Sequence, residues 1–135
     1  MQDDITIASD EPVLIVDDVM SARMVLSDML MDLGFSNRIE ARNGHEALQL
    51  LERHNFQLIF CDYLMDGMSG LDFLQASQSR GTKQLPPVIF VSSMGDVQSV
   101  EDVLKMGASD YIVKPVNLRK LRQKVDAVLH RSKEK

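Results

Sequence analysis

Asp62 ends the run Leu58-Ile59-Phe60-Cys61-Asp62, in which four apolar residues lead straight into a carboxylate. Three other apolar runs end on a polar group. Val13-Leu14-Ile15-Val16 leads into Asp17-Asp18, Val88-Ile89-Phe90-Val91 into Ser92-Ser93, and Tyr111-Ile112-Val113 into Lys114-Pro115. A lone aspartate after a strand is ordinarily a solvated loop residue. Four such ends along one edge of a parallel sheet would instead bring together an acid pair, a third acid, a hydroxyl and a lysine. Crowded carboxylates repel, and at about 4 Å each close pair costs roughly 4 kcal/mol at an effective dielectric near 20. Lys114 and one divalent cation would balance the three acids. Hard carboxylate oxygens without histidine or cysteine favour Mg²⁺, with Mn²⁺ as the alternative, over zinc. An aspartate held beside a cation, a lysine and a hydroxyl is suited to accept a phosphoryl group. Asp62 is then the nucleophile and forms an aspartyl phosphate. The cation and Lys114 neutralise the transferring oxygens, and Ser92 donates a hydrogen bond to one of them. No histidine base is needed, because a carboxylate is already ionised at neutral pH.

The elements between these ends must place them on one edge. Short, continuous apolar runs bounded by turn residues read as strands buried on both faces. Helical spacing puts Val25, Leu26, Met29, Leu30 and Leu33 on one face of a helix that starts at about Met20 or Ser21 and stops before Gly34. A weaker strand, Arg38-Ile39-Glu40-Ala41, follows. Asn43 and Glu46 then make a capping-box-like start for a helix with Ala47, Leu48 and Leu51 inward. A third helix is expected from about Gly70 to Ser79, after a loop, and the stretch from Arg80 to Pro87 is a polar connection. Val97, Val100, Val103 and Leu104 mark a fourth helix ending near Gly107, and Leu118, Leu121, Val125, Val128 and Leu129 a last one. Strand and helix thus alternate five times, which argues for an α/β fold with a parallel sheet and helices on both faces.

Composition agrees with one ordinary domain. The chain has 135 residues, 44% apolar and 26% charged, with no stretch of membrane-spanning length. Residues 1–11 read as a flexible acidic tail unlike a signal or transit peptide, residues 12–131 as the domain, and 132–135 as a short tail. A single cysteine, Cys61, suits a reducing compartment and points to the cytoplasm. The net charge of −5 argues against direct nucleic-acid binding. Charge is uneven: residues 114–135 hold eight Lys/Arg against two Asp/Glu, a basic helix that is either a solvated face or a docking face for an acidic partner. Nine methionines read as core packing rather than a soft-metal site. His45, His54 and His130 are scattered and read as surface or cap residues, and Cys61 should point away from the site and be inert.

In this order and spacing, Val13–Asp18, Asp62 with Met65, Met68 and Gly70 behind it, Glu40-Ala41 before Asn43-Gly44-His45-Glu46-Ala47-Leu48, Val91-Ser92 and Tyr111–Pro115 resemble the CheY-like receiver domains of two-component response regulators. The resemblance covers about residues 12–130. It implies a flavodoxin-like (βα)5 doubly wound sheet with strand order 2-1-3-4-5. It also implies Asp62 as phospho-acceptor, and Mg²⁺ bound by Asp18, Asp62 and the Leu64 backbone carbonyl, with Asp17 acting largely through water. Ser92 is then the switch hydroxyl, Tyr111 the switch aromatic, and Lys114 the site lysine, followed by a cis bond to Pro115. The partners implied are a histidine kinase or histidine phosphotransfer protein and an effector at the face made by the fourth helix, fifth strand and last helix. That face would be remodelled as Ser92 is pulled in and Tyr111 rotates inward. A phosphorylation-dependent homodimer is also compatible.

The chain departs from that pattern in places. Relatives usually carry proline at the position of Asp66, whose side chain here should leave the loop more mobile or cap the following turn. Val116 replaces a common phenylalanine. Leu64 and Met94, which flank the phosphoryl group in this family, are both apolar and cannot orient an attacking water, so slow autodephosphorylation is expected. The competing reading is an Mg²⁺-dependent aspartate-nucleophile phosphatase on a related fold. Such enzymes need a second acid two residues after the nucleophile, and that position is Leu64. A flavodoxin-type cofactor binder ranks lower, since Asp17-Asp18-Val19-Met20 would repel a phosphate.

Overall fold

The computed structural model describes residues 10–80 and 84–133. The strands are β1 (Val13–Val16), β2 (Arg38–Ala41), β3 (Leu58–Cys61), β4 (Val88–Ser92) and β5 (Asp110–Val113). The helices between and after them are α1 (Met20–Asp32), α2 (Gly44–Arg53), α3 (Gly70–Gln78), α4 (Val97–Met106) and α5 (Leu118–Lys133). All strand pairs are parallel, in the order β2-β1-β3-β4-β5, as the resemblance implies.

Period-two alternation explains why these runs are strands apolar on both faces. Val13, Ile15, Leu58, Phe60, Ile89, Val91 and Ile112 face one way, against Leu26, Leu30 and Leu33 of α1 and Leu121, Val125 and Val128 of α5. Leu14, Val16, Ile59, Cys61, Val88, Phe90 and Tyr111 face the other way, against Ala47 and Leu51 of α2, Phe73 and Leu74 of α3 and Val103 of α4. A slip of one residue in any inner strand would exchange the two sets, so the register is firmly fixed.

Caps set the helix boundaries. The Asn43 side chain accepts the Glu46 N–H at 2.8 Å, while Glu46 reaches back to the N–H of Arg42, one residue earlier than a standard capping box. Ser69 caps α3 and Asp96 caps α4 through the N–H groups of Asp72 and Ser99. Gly34 and Gly107 take positive φ where α1 and α4 stop. Among the described residues, no helix is long and apolar enough to cross a membrane.

Several expectations need correction. Val25, Val97 and Leu104 are 53%, 73% and 41% exposed, outside the core that their spacing suggested. Met20, Met24 and Met31 also lie on the outer face of α1 rather than in the core. The last helix continues to Lys133, past the expected domain end at residue 131. Residues 1–9 of the expected N-terminal tail, 81–83 of the polar connection and 134–135 lie outside the described residues.

One glycine is fixed by the site itself. A Cβ on Gly70 would lie 2.1 Å from the Asp62 carbonyl oxygen and 2.8 Å from the Phe90 ring. The Gly70 N–H also bonds the Tyr63 carbonyl at 2.8 Å. Gly70→Ala must therefore push β3 and α3 apart, at about 1–3 kcal/mol. Gly44→Ala, whose Cβ meets the flexible Met68 side chain, should cost clearly less. Urea midpoints for the two variants measure this; equal losses would contradict the packing argument.

Candidate functional site

Register brings the four strand ends together. Val16 pairs with Cys61, so Asp17 and Asp62 leave the sheet side by side, and the Asp62 N–H still bonds the Val16 carbonyl at 2.9 Å. Ser92 pairs with Val113, and the Lys114 N–H bonds the Ser92 carbonyl at 2.8 Å. Alternation then turns Asp17, Asp62 and Lys114 to the α1/α5 side. Lys114 Nζ donates to Asp17 Oδ2 at 2.8 Å and to Asp62 Oδ2 at 3.3 Å. Asp17 and Asp62 are nearly buried and Asp18 is exposed. One carboxylate oxygen from each of the three acids lies within 4.8 Å of the others.

The acids differ in what already occupies them. Asp17 accepts the Val19 N–H at 2.9 Å on Oδ1 and Lys114 on Oδ2. Asp18 accepts the Asp66 N–H at 3.2 Å. Three hard oxygen donors with no nitrogen or sulfur among them fit a Mg²⁺ or Mn²⁺ ion, and the local excess of negative charge favours one. Asp18, with one such bond, has the most lone-pair capacity left of the three.

Burial raises the Asp62 carboxyl above the ordinary aspartate value. A hydrogen bond from Ser92 and the charge and hydrogen bond of Lys114 oppose this, while the charge of Asp17 adds to it. For Lys114, burial alone would lower the ammonium, but its bond to Asp17 and the charges of Asp62 and Asp17 outweigh that and raise it. Cys61 is buried in the opposite core layer, and burial, then the charges of Asp62 and Asp17, push its thiol far up. Its side chain lies on the sheet face away from the acids.

Ser92 is fully buried and its oxygen also accepts the Met94 N–H at 3.3 Å. Tyr111 is buried in this structure. Its ring stacks on Phe90 at 6.2 Å between centroids, and its hydroxyl donates to the Met94 carbonyl. The Lys114–Pro115 bond is cis. Leu64 stands 55% exposed at the mouth of the site, with Met94 half-buried. Asp66 acts through its backbone N–H rather than as a side-chain cap.

Sequence reasoning missed Arg23. This buried residue donates from its guanidinium to the Asp17 carbonyl at 2.6 Å and pairs with Glu40 at 3.0 Å, so it holds the β1–α1 turn from below. The available signal was its place one turn before Leu26, Ser27 and Leu30 on the buried face of α1.

Comparison with known proteins agrees with this geometry. The response regulator receiver domain family matches residues 13–126. The chain is 33% identical over 119 residues to the chemotaxis protein CheY of Pseudomonas aeruginosa, covering 88% of this chain and 96% of that one. Chemotaxis protein CheY4 of Vibrio cholerae superposes with a TM-score of 0.80 at 28% identity, over 87% of this chain and 98% of that one. A CheX–CheY–BeF3–Mg²⁺ complex from Borrelia burgdorferi gives 0.77 at 31% identity, over 87% and 88%. Nothing in these matches supports the phosphatase reading.

The raised Asp62 carboxyl has a consequence for stability. A carboxyl with a folded pKa above its unfolded value contributes stability that is full below the unfolded pKa and is lost as pH rises through the folded pKa. At neutral pH the ionised group therefore strains the metal-free fold. Asp62→Asn should raise metal-free stability at pH 7 by about 0.5–2 kcal/mol, with the gain shrinking toward pH 4. Denaturant midpoints across that range measure it, and a pH-independent difference would contradict the assignment.

Proposed function

This chain belongs to the response regulator receiver family, and on that premise we propose that Asp62 is the residue that accepts the phosphoryl group. The observation that carries this is the Lys114 bridge to Asp17 and Asp62, with Asp18 alongside. A half-buried lysine there divides its charge between two nearly buried carboxylates at the ends of neighbouring inner strands.

The donor is a phosphohistidine on a histidine kinase or histidine phosphotransfer protein. An Asp62 carboxylate oxygen bonds to phosphorus as the phosphorus–nitrogen bond breaks, and the imidazole nitrogen keeps the electron pair and takes up a proton. Asp18, Asp62 and the Leu64 carbonyl would hold Mg²⁺ or Mn²⁺ directly, and Asp17 through water. When bound, the ion supplies positive charge to the phosphoryl oxygens. Lys114 follows the new phosphate charge, and Ser92 moves its hydroxyl from the carboxylate to a phosphoryl oxygen. The chain thus catalyses its own phosphorylation rather than the turnover of a substrate.

The output surface is the α4–β5–α5 face. Val97, Leu104 and Val113 are exposed apolar residues there, beside the basic residues of α5. An effector protein, or a second phosphorylated copy, would bind it. The setting is the cytoplasm, with neither nucleic acid nor membrane as a direct partner.

Incubation with Mg²⁺ and acetyl phosphate should give a lasting adduct of about 80 Da by intact mass, absent in Asp62→Asn. Sustained release of phosphate without an adduct would favour a phosphatase instead. The apolar side chains of Leu64 and Met94 shield the phosphate, so Leu64→Asn combined with Met94→Glu should speed its decay about tenfold, less than the roughly 10²–10⁴-fold of an optimally placed acid–base group. Unchanged decay would sink the shielding idea.

A further inference from the structure

We infer that the backbone N–H of Asp66 is a positioning group for Asp18, and through it for the cation site. The inference rests on the reading of the acid cluster as that site.

Asp18 is the least restrained of the three acids. Asp17 is fixed by Val19 and Lys114, and Asp62 by Lys114 and Ser92. Asp18 is exposed, and among the described residues its hydrogen-bond donor is the Asp66 N–H, 3.2 Å from Oδ2 and 48 positions along the chain. That contact ties the β1–α1 turn to the tip of the loop between β3 and α3. The base of the same loop is closed by the Gly70 N–H on the Tyr63 carbonyl at 2.8 Å, and Gly67, at φ +81, turns the chain just after the contact. Closed at base and tip, the loop presents a fixed donor to a side chain that would otherwise sample several rotamers.

A carboxylate oxygen has two lone pairs, so one carboxylate can accept an amide and still face a cation. The amide also takes part of the negative charge of Asp18 in the metal-free site, where three acids crowd. Only a residue with a backbone N–H can do this. Proline, the residue that the resemblance leads one to expect here, has none. The Asp66 side chain is exposed and plays no part in the contact. The relevant property of position 66 is therefore that it is not proline, rather than that it is acidic.

The test compares Asp66→Ala, which keeps the amide, with Asp66→Pro, which removes it; both delete the same charge. Mg²⁺ titration of the full chain by calorimetry should show Asp66→Pro binding about 3- to 10-fold more weakly than Asp66→Ala, the range set by one net hydrogen bond. Amide hydrogen exchange, read by NMR without metal, should show residue 66 protected in the parent chain and less protected in Asp18→Ala. Equal or tighter Mg²⁺ binding in Asp66→Pro would overturn the inference, and so would residue-66 exchange that ignores Asp18→Ala. A parent chain that does not bind Mg²⁺ would instead sink the cation-site reading and this inference with it.

Discussion

Lys114 holds two carboxylates in one place, 2.8 Å from Asp17 and 3.3 Å from Asp62, and the rest of the site depends on that bridge. It comes from β5, an edge strand, while the acids end β1 and β3. With strands about 4.8 Å apart, β5 and β1 are separated by roughly 14 Å along the sheet. A long lysine stem and the twist of the sheet are both needed to span that, and a short basic group at this position would reach neither acid. The single charge does not fully offset the crowding. Burial keeps the Asp62 carboxyl raised even with Lys114 and Ser92 bonded to it. The site is left with a deficit of positive charge, which a divalent ion would relieve.

The sheet makes this arrangement stiff. Inner strands apolar on both faces cannot slip by one residue without turning their layers inside out. The same slip would carry Asp62 to the wrong side, away from Lys114. Beneath the acids, Arg23 grips the Asp17 carbonyl and is itself held by Glu40 of β2. Cation and anion therefore alternate through the layer: Glu40, Arg23, the β1–α1 turn, Asp17, Lys114, Asp62. A buried guanidinium is costly unless paired, and its two partners here serve to orient the turn that carries the acids.

Much of this was legible in the sequence because strand ends and caps are local signals. An apolar run of four residues closing on a polar group needs no knowledge of its neighbours, and parallel topology then puts all such ends on one edge. Asn43, Ser69, Asp96 and Gly107 likewise act within a turn of themselves. What failed was inference from apolar spacing alone. Val25, Val97 and Leu104 fit a helical stripe, yet each helix covers only part of a sheet face, so the margin of the stripe stays in water. Met20, Met24 and Met31 fall on the outer face of α1 for the same reason. Arg23 and the Asp66 amide were invisible for a different reason: each is defined by a contact 17 to 48 residues away. In the second case the active group is main chain, which a side-chain reading does not register.

Tyr111 carries the last step. The resemblance implies an aromatic that rotates inward on phosphorylation, but here the ring is already packed on Phe90, with its hydroxyl on the Met94 carbonyl. Ser92, by contrast, is engaged in two directions at once: its hydroxyl serves Asp62, and its oxygen accepts the Met94 N–H. Ser92 is thereby tied directly to the Met94 amide. Met94 in turn holds Tyr111 through its carbonyl and lies two residues before Asp96, the cap of α4. The main chain at Met94 therefore joins Ser92, Tyr111 and the start of α4 in one short segment.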